Sequence, residues 1–359
     1  MEEKENIKSA NTLSGTFYNS EEILNLSREK IFAKSWQLIG DANLIKVPES
    51  AYPFDFMEGF ITEPLLLTRD KDDALHCMSN VCTHRGNLLI DNPCSLKGGI
   101  TCGYHGRRFG VDGKFKAMPE TEGMENFPSE KDDLTKLSIK KWKQFLFTSI
   151  DPSFPFEEMI NEMDKRIGWM PIENFVFDAD RSQEYLVKTN WALYCDNYLE
   201  GFHIPYIHRD LAKTLSFDDY ISEIYQYSNL QLGVAKGGEV AFDLPSTSPD
   251  FGNRIGAYYY WLFPNIMFNF YPWGLSLNII RPLKYNLTKV IFKSYVWDAS
   301  KIDSGAGALL DRVEREDEAI VEKVQKGTAS MLYGSGRYSP RMEQGVFHFH
   351  QLLKQFLNQ

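Results

Sequence analysis

The apolar positions change period along the chain. Between Ser20 and Trp36, Ile23, Leu24, Leu26, Ile31 and Phe32 recur among charged residues, which predicts an amphipathic helix. From about Trp36 to Ile150 the pattern becomes short apolar runs separated by turn residues, as in Pro64 to Thr68 and Gln144 to Thr148. Such runs predict strands. Asp112-Gly113, between Phe109 and Phe115, is a hairpin signal, with both turn residues expected at positive φ. This region is therefore expected to be a small all-β domain. Pro152 to Pro155 and the acidic stretch after them mark a boundary. Thr189-Asn190 open a helix at Trp191, and strand-like segments follow at Ala257 to Phe263, Ile266 to Tyr271, Leu275 to Arg281 and Lys289 to Trp297. A helix from about Ala306 to Lys326, followed by Gly327, is the last clear element. The second part is expected to be α+β, an antiparallel sheet with helices against it.

The 359 residues, 43% of them hydrophobic, are enough for two ordinary cores. The 25 Phe, 18 Tyr and 7 Trp suit β structure, an aromatic-lined pocket or plain core packing. A net charge of −10 argues against nucleic acid as the main partner, which would need a concentrated basic face. Near Met1 no apolar stretch follows a basic head, and no run approaches the roughly 20 apolar residues of a membrane span. The five cysteines, at 77, 82, 94, 102 and 195, are an odd number that suits a reducing compartment better than a disulfide framework. The expectation is a cytoplasmic enzyme with no membrane partner.

Two cysteine–histidine pairs carry the first chemistry. Cys82-Thr83-His84-Arg85-Gly86 and Cys102-Gly103-Tyr104-His105-Gly106 each place one thiol and one imidazole at a loop tip beside glycines. One Cys and one His from each loop suit a [2Fe–2S] cluster with two thiolates on one iron and two imidazoles on the other, the Rieske arrangement. Structural zinc also accepts two Cys and two His, although zinc fingers usually separate a Cys pair from a His pair. Rieske proteins of cytochrome complexes carry an additional Cys in each loop, joined as a disulfide. Here Asn87 and Tyr104 stand at those positions, so the domain resembles the lower-potential type found in oxygenases. Cys77, Cys94 and Cys195 read as small buried residues, and His76 as structural or exposed.

The second constellation lies in Asn190 to His208. His203 and His208 are five apart, and Pro205 between them disfavours helix at Ile204. His203 is then near a helix end and His208 in the turn beyond. In the later helix, residues 309, 310, 313, 320, 321 and 324 form an apolar stripe, with Asp317 within roughly 30° of its centre and Glu314, Glu316 and Glu318 well away. A carboxylate on a buried stripe needs a partner. A salt bridge or a cap would serve. With His203 and His208, however, Asp317 completes a 2-His-1-carboxylate face of the kind that holds non-haem Fe(II).

In order, these motifs resemble the α subunits of Rieske non-haem iron oxygenases, the aromatic-ring-hydroxylating dioxygenase family. The resemblance covers Phe32 to Trp36, both Cys–His loops, Asn190-Trp191, Asp196 to His203, Glu316-Asp317, Gln325-Lys326-Gly327, Gly336-Arg337 and Phe347-His348-Phe349. The helix before His203 looks most like the choline monooxygenase and glycine-betaine demethylase branch. The resemblance implies an N-terminal segment, residues 1–36, packed on the catalytic domain, a Rieske domain at 37–150, and a mononuclear-iron domain of helix-grip type at 151–359. It implies Cys82, His84, Cys102 and His105 as cluster ligands, and His203, His208 and Asp317 as iron ligands. It also implies a head-to-tail homotrimer in which a carboxylate links one subunit's cluster to the next subunit's iron. Glu200 matches that position, with Asp196 a second candidate. Opposite an apolar face of residues 191, 195, 198 and 202, Glu200 is expected to point outward. Electrons would come from NAD(P)H through a flavin reductase or ferredoxin, and Arg107-Arg108 would either orient an acidic donor or be solvated. His348 and His350 read as structural.

The rings from Tyr258 to Trp273 leave the substrate open. They suit a cage for a quaternary ammonium, a slot for an aromatic substrate of a ring-hydroxylating dioxygenase, or simple sheet packing. A Rieske electron carrier without oxygenase activity would explain residues 82 to 105 but not the second constellation. A zinc-stabilised binding protein would explain less.

Overall fold

The region of short apolar runs forms two sheets. In the computed structural model, which describes residues 5–214, 220–302, 304–308 and 310–358, the chain divides into two compact units. One comprises residues 33–153, the other residues 1–32 with 154–359. In the first, β1 (Gln37–Asp41), β2 (Ser50–Phe56), β3 (Glu63–Arg69), β4 (Leu75–Ser79) and β5 (Cys94–Ser95) precede three short strands, β6 (Ile100–Thr101), β7 (Arg108–Phe109) and β8 (Phe115–Ala117). β9 (Lys136–Trp142) and β10 (Phe145–Ser149) follow. The larger sheet has the order β1-β10-β9-β4-β3-β2-β5, and β6-β7-β8 form the smaller one. Leu66, Met78, Leu96, Ile100, Phe109 and Leu134 pack with Cys82 and Cys102 in one core, so the cysteine loops are anchored from below.

The hairpin at Asp112-Gly113 forms, but not with the expected turn. Gly113 N–H donates to Gly110 O (3.0 Å) and Gly110 N–H to Lys114 O (2.8 Å), and only Gly113 is left-handed (φ +79°). A turn that closes before Gly113 leaves one residue at positive φ, which glycine alone supplies. Cys94 is exposed on the short edge strand β5, not buried as expected.

In the second unit α1 (Gly15–Tyr18) and α2 (Glu21–Ser27) come first. The helix expected to reach Trp36 ends at Ser27 and continues as a π-helical turn over Arg28–Phe32. Ser27 Oγ donates back to Ile23 O (2.8 Å), a bond that loosens a helix, and the wider turn buries the adjacent Ile31 and Phe32 together. α3 (Phe156–Ile167) leads to the strands β11 (Val176–Val187), β12 (Ile221–Ile224), β13 (Ser228–Val234), β14 (Ile255–Leu262), β15 (Ile266–Tyr271), β16 (Gly274–Lys284) and β17 (Leu287–Val296). They form one antiparallel sheet in the order β11-β17-β16-β15-β14-β13-β12. Between β11 and β12 lie α4 (Trp191–Tyr198), α5 (Ile204–Ile207) and α6 (Leu211–Thr214). After β17 come α7 (Leu310–Thr328) and α8 (Gln344–Leu357). The helix expected to stop at Gly327 runs through it to Thr328.

Strand alternation sorts the aromatic run on β14. Tyr258 points toward α3, where its hydroxyl donates to Asp250 Oδ2 (2.9 Å), while Trp261 packs on Phe349 of α8 (5.2 Å). Asp250, 4% exposed, takes a two-pronged contact from Arg166 of α3 (2.6 and 2.8 Å), whose guanidinium also reaches Glu223 (2.9 Å). Removing one partner of such a pair strands the other charge. Asp250→Ala is therefore expected to destabilise this unit by about 3 kcal/mol in urea unfolding followed by tryptophan fluorescence. A change within 0.5 kcal/mol, about the size of an ordinary surface substitution, would show the pair to be dispensable.

Candidate metal centres

The two Cys–His loops repeat one another bond for bond. Cys82 N–H donates to Asn87 O (2.8 Å) and Gly86 N–H to Cys82 O (3.0 Å). Cys102 N–H likewise donates to Arg107 O (2.7 Å) and Gly106 N–H to Cys102 O (3.1 Å). Gly86 and Gly106 close these knuckles at φ +73° and +70°. Both cysteines are buried, and both histidines are exposed with their rings 4.8 Å apart. Burial pushes the Cys102 thiol up, but N–H groups of Tyr104 and His105 with Cys82 and Asn87 outweigh it and lower its pKa. Burial and the neighbouring Cys102 raise that of Cys82. His84 is lowered by desolvation and by the charges of His105, Arg107 and Arg85, which favours the neutral imidazole that a metal requires. Arg107 is not a docking charge. It is 3% exposed, bonds Asp132 Oδ1 (2.6 Å) and lies over the Phe115 ring (4.8 Å), leaving Arg108 alone at the surface.

The second site is assembled from α4, α5 and α7. Asn190 caps α4 by accepting from Ala192 N–H (2.9 Å), and its own N–H donates to Gln325 Oε1 of α7 (2.6 Å). Pro205 starts the one-turn helix α5, not the break expected, because its missing N–H and fixed φ suit a first turn. His203 and His208 flank that turn as its two caps. His203 Nε2 lies 3.6 Å and His208 Nε2 2.9 Å from Asp317 Oδ1. Among the described residues these three are the one set whose ligand atoms all lie within 4.8 Å of one another.

Carboxylates hold both rings from behind. His203 Nδ1 contacts Glu200 Oε1 (2.7 Å), and His208 Nδ1 contacts Glu316 Oε2 (2.9 Å). With Nδ1 protonated toward the carboxylate, each Nε2 keeps its lone pair for a cation. Burial alone would lower the His208 pKa, but Asp317 and Glu316 reverse the sign and raise it. Asp317 also accepts from Asn197 Nδ2 (2.6 Å). Two imidazole nitrogens and a carboxylate oxygen aimed at one point fit a divalent iron.

Several expectations change here. Glu200 does not point outward. Its side chain, 13% exposed, curls back onto His203 and the N–H groups of Phe202 and His203, because α4 ends at Tyr198 and the chain turns before it. Phe202 is exposed and so not part of the apolar face. On α7, Glu316 faces His208, Glu314 lines a cavity and Glu318 Oε1 is buried, so none of the three points away. The buried stripe runs through Val321, Gln325 and Thr328, with Asp317 half-buried one turn before it, while Val324 is exposed. Leu309 lies outside the described residues. Asp196 accepts from Tyr18 Oη (2.7 Å) and from His350 Nε2 (2.9 Å), and His348 Nδ1 meets Asn229 (2.9 Å), so both late histidines have structural partners. His76 pairs with Asp70 (2.9 Å).

A cavity of about 100 Å³ adjoins the three ligands. Gln231, Tyr259 and Asn269 stand opposite one another on neighbouring strands and line it, with Tyr271 and Asn278 from the same sheet face. None but the tyrosines was anticipated. The signal was present, since Asn269 and Asn278 interrupt otherwise apolar strands where an amide needs a buried partner. Phe268 and Phe270 stack on each other (6.0 Å) away from this cavity and pack the sheet.

The chain matches the ring hydroxylating alpha subunit catalytic domain over residues 169–359 and the Rieske [2Fe-2S] domain over residues 36–128. It is 30% identical to the chloroplastic choline monooxygenase of Spinacia oleracea, across 97% of this chain and 79% of that one. It is 28% identical to the carnitine monooxygenase oxygenase subunit of Escherichia coli K12, across 98% and 95%. A solved quaternary ammonium Rieske monooxygenase, described for carnitine oxidation and inter-subunit electron transfer, superposes with a TM-score of 0.77 at 25% identity, covering 98% of this chain and 96% of that one.

Metal analysis tests the ligand sets. The purified chain is expected to hold about three iron atoms, Asp317→Ala about two and Cys102→Ser about one. An Asp317→Ala protein with its full iron content would remove Asp317 from the set.

Proposed function

The chain belongs to the ring-hydroxylating alpha-subunit family, a Rieske [2Fe–2S] domain joined to a catalytic non-haem iron domain, and we propose that its substrate is a quaternary ammonium compound. It is an oxidoreductase, the oxygenase component of a Rieske oxygenase. The observation that carries the substrate reading is the cavity beside His203, His208 and Asp317, walled by Tyr194, Tyr198, Tyr220, Tyr259 and Tyr271. Tyr198 Oη donates to Asn269 Oδ1 (2.7 Å) and Tyr220 Oη to Gln231 Oε1, so these rings are fixed with their hydroxyls occupied. A desolvated cation over such rings gains about 2 kcal/mol from each well-placed face. The choline and carnitine monooxygenases among the relatives support the same class.

In this reading Cys82, His84, Cys102 and His105 hold the cluster, and His203, His208 and Asp317 hold the iron. Residues 33–153 form the Rieske domain, with the remainder of the chain as the catalytic domain. The bound metals supply dioxygen activation, with electrons that originate from NAD(P)H and arrive through a ferredoxin or flavin reductase. The protein's own groups do the positioning. Glu200 and Glu316 fix the two imidazole rings by their Nδ1 atoms, Asn197 holds the Asp317 carboxylate, and the tyrosines wall the space where substrate sits. Glu200, bonded to a ligand histidine, is better placed than Asp196 to link this site to the cluster of a neighbouring subunit in a homotrimer. Asp196 is already committed to Tyr18 and His350. The relative described for inter-subunit electron transfer supports that arrangement.

With a surrogate reductase, trimethylammonium compounds are expected to stimulate oxygen uptake by the purified chain, and aromatic acids are not. The reverse result would favour the ring-hydroxylating alternative. Glu200→Gln should retain both metals yet slow substrate oxidation about 10- to 100-fold. A variant as fast as the parent would deny Glu200 both its positioning and its bridging role.

A further inference from the structure

The cavity beside the iron ligands is electrostatically one-sided. Glu200, Glu314 and Asp317 line it, and its described lining residues include no lysine or arginine. Two of the three carboxylates are engaged, Glu200 by His203 and Asp317 by His208 and Asn197. Glu314 has no hydrogen bond or ion pair among the described residues. Burial first, then repulsion from Asp311, Asp317 and Glu318, pushes its carboxyl well above the usual range. In that position the carboxyl is held neutral until an approaching cation favours its ionised form.

A quaternary nitrogen has no N–H to donate, so only ring faces and opposite charge can recognise it. An Fe(II) held by two neutral imidazoles and one carboxylate leaves a net positive centre that repels a fixed cation. Glu314, three residues before Asp317 on α7, supplies the charge that offsets this repulsion. The rest of the wall is neutral. Asn269 and Asn278 are buried amides suited to a hydroxyl or another uncharged polar group, while the Gln231 amide is already bonded to Tyr220 and Tyr198. Away from the iron ligands, a substrate carboxylate would meet Glu200 and Glu314 and no cationic side chain there. Arg181, Lys293 and Arg312 do line a neighbouring cavity of about 520 Å³, but so do Asp180 and Asp311, and Leu310 and Glu314 are the wall the two cavities share.

We propose that Glu314 is the anionic anchor for the substrate's fixed positive charge, and that the site selects a quaternary amino alcohol over a zwitterion bearing a carboxylate. The proposal rests on the quaternary ammonium reading above and narrows it.

Calorimetric titration of the iron-loaded protein without oxygen tests it, with choline, glycine betaine, carnitine and 3,3-dimethylbutanol, the uncharged carbon isostere of choline, as probes. The parent is expected to bind choline at least tenfold more tightly than either zwitterion. Glu314→Gln is expected to weaken choline roughly 30-fold and the neutral alcohol less than threefold, with Glu314→Asp intermediate. Iron content is measured on each variant. Choline binding unchanged in Glu314→Gln, or zwitterions bound as tightly as choline by the parent, overturns the proposal and leaves the broader reading standing. Loss of iron from Glu314→Gln also overturns it, because the residue would then be a ligand. If the parent binds none of the charged probes, both readings fall together.

Discussion

Everything at the catalytic centre depends on holding one carboxylate, Asp317, between two imidazoles. Three elements must agree for this to happen. α4 supplies Asn197, which donates to Asp317, and the turn after α4 supplies both histidines. α7 supplies Asp317 itself and Glu316 behind His208. The Asn190 to Gln325 bond ties α4 to α7 far enough from the site that neither contact serves the metal directly. Such support holds the two Nε2 atoms 3.6 and 2.9 Å from Asp317 Oδ1, which ligands on a free loop would not maintain.

Much of this was legible because spacing constrains chemistry. Two mixed Cys–His loops admit few structures, and both closing glycines are left-handed where a side chain would be strained. The helix period that pointed to Asp317 also places it 3.6 and 2.9 Å from the two histidines, although the stripe behind it was only partly right, with Val321 buried and Val324 exposed. Val324 looked buried by its type and is exposed. Gln325 and Thr328, which that stripe leaves out, are buried, because their polar groups bond α1, Asn19 and Asn190. A period assigned from apolar residues alone cannot see a helix that packs through hydrogen bonds.

The misreadings share one cause, tertiary partners that override local type. β11 escaped notice because its burial alternates weakly and a bulge lies between Asp178 and Gln183. α8 repeats Val346, Phe349, Leu353 and Phe356 at helical spacing and was not recognised as an element, although His348 and His350 on it were rightly read as structural. His350 is inside because Asp196, Tyr18 and Tyr338 saturate its ring. Glu200 was placed outward on an extrapolated helix. One residue past the end of α4 the backbone turns, and its carboxylate finds two N–H groups and an imidazole instead of solvent.

The concentration of acid around this site is itself informative. Glu200, Glu314, Glu316, Asp317 and Glu318 fall within a short span of structure, and α7 places the last four on adjoining turns. In a low-dielectric interior such a group is strongly self-repelling, and on the cavity side two histidines and Asn197 lie against it. Arg312 and Arg315 reach Glu316 and Glu318 from the outer side, and leave Glu314 to face the cavity. A folded chain with that imbalance is balanced by what it binds. The metal accounts for the charge at Asp317. What remains is Glu314 among tyrosine faces, a carboxyl held neutral until a cation favours its ionised form, where a hydrated inorganic cation gains little and a soft organic one gains most. Substrate charge and metal charge thus belong to one electrostatic balance, with α7 carrying the counter-charge for both.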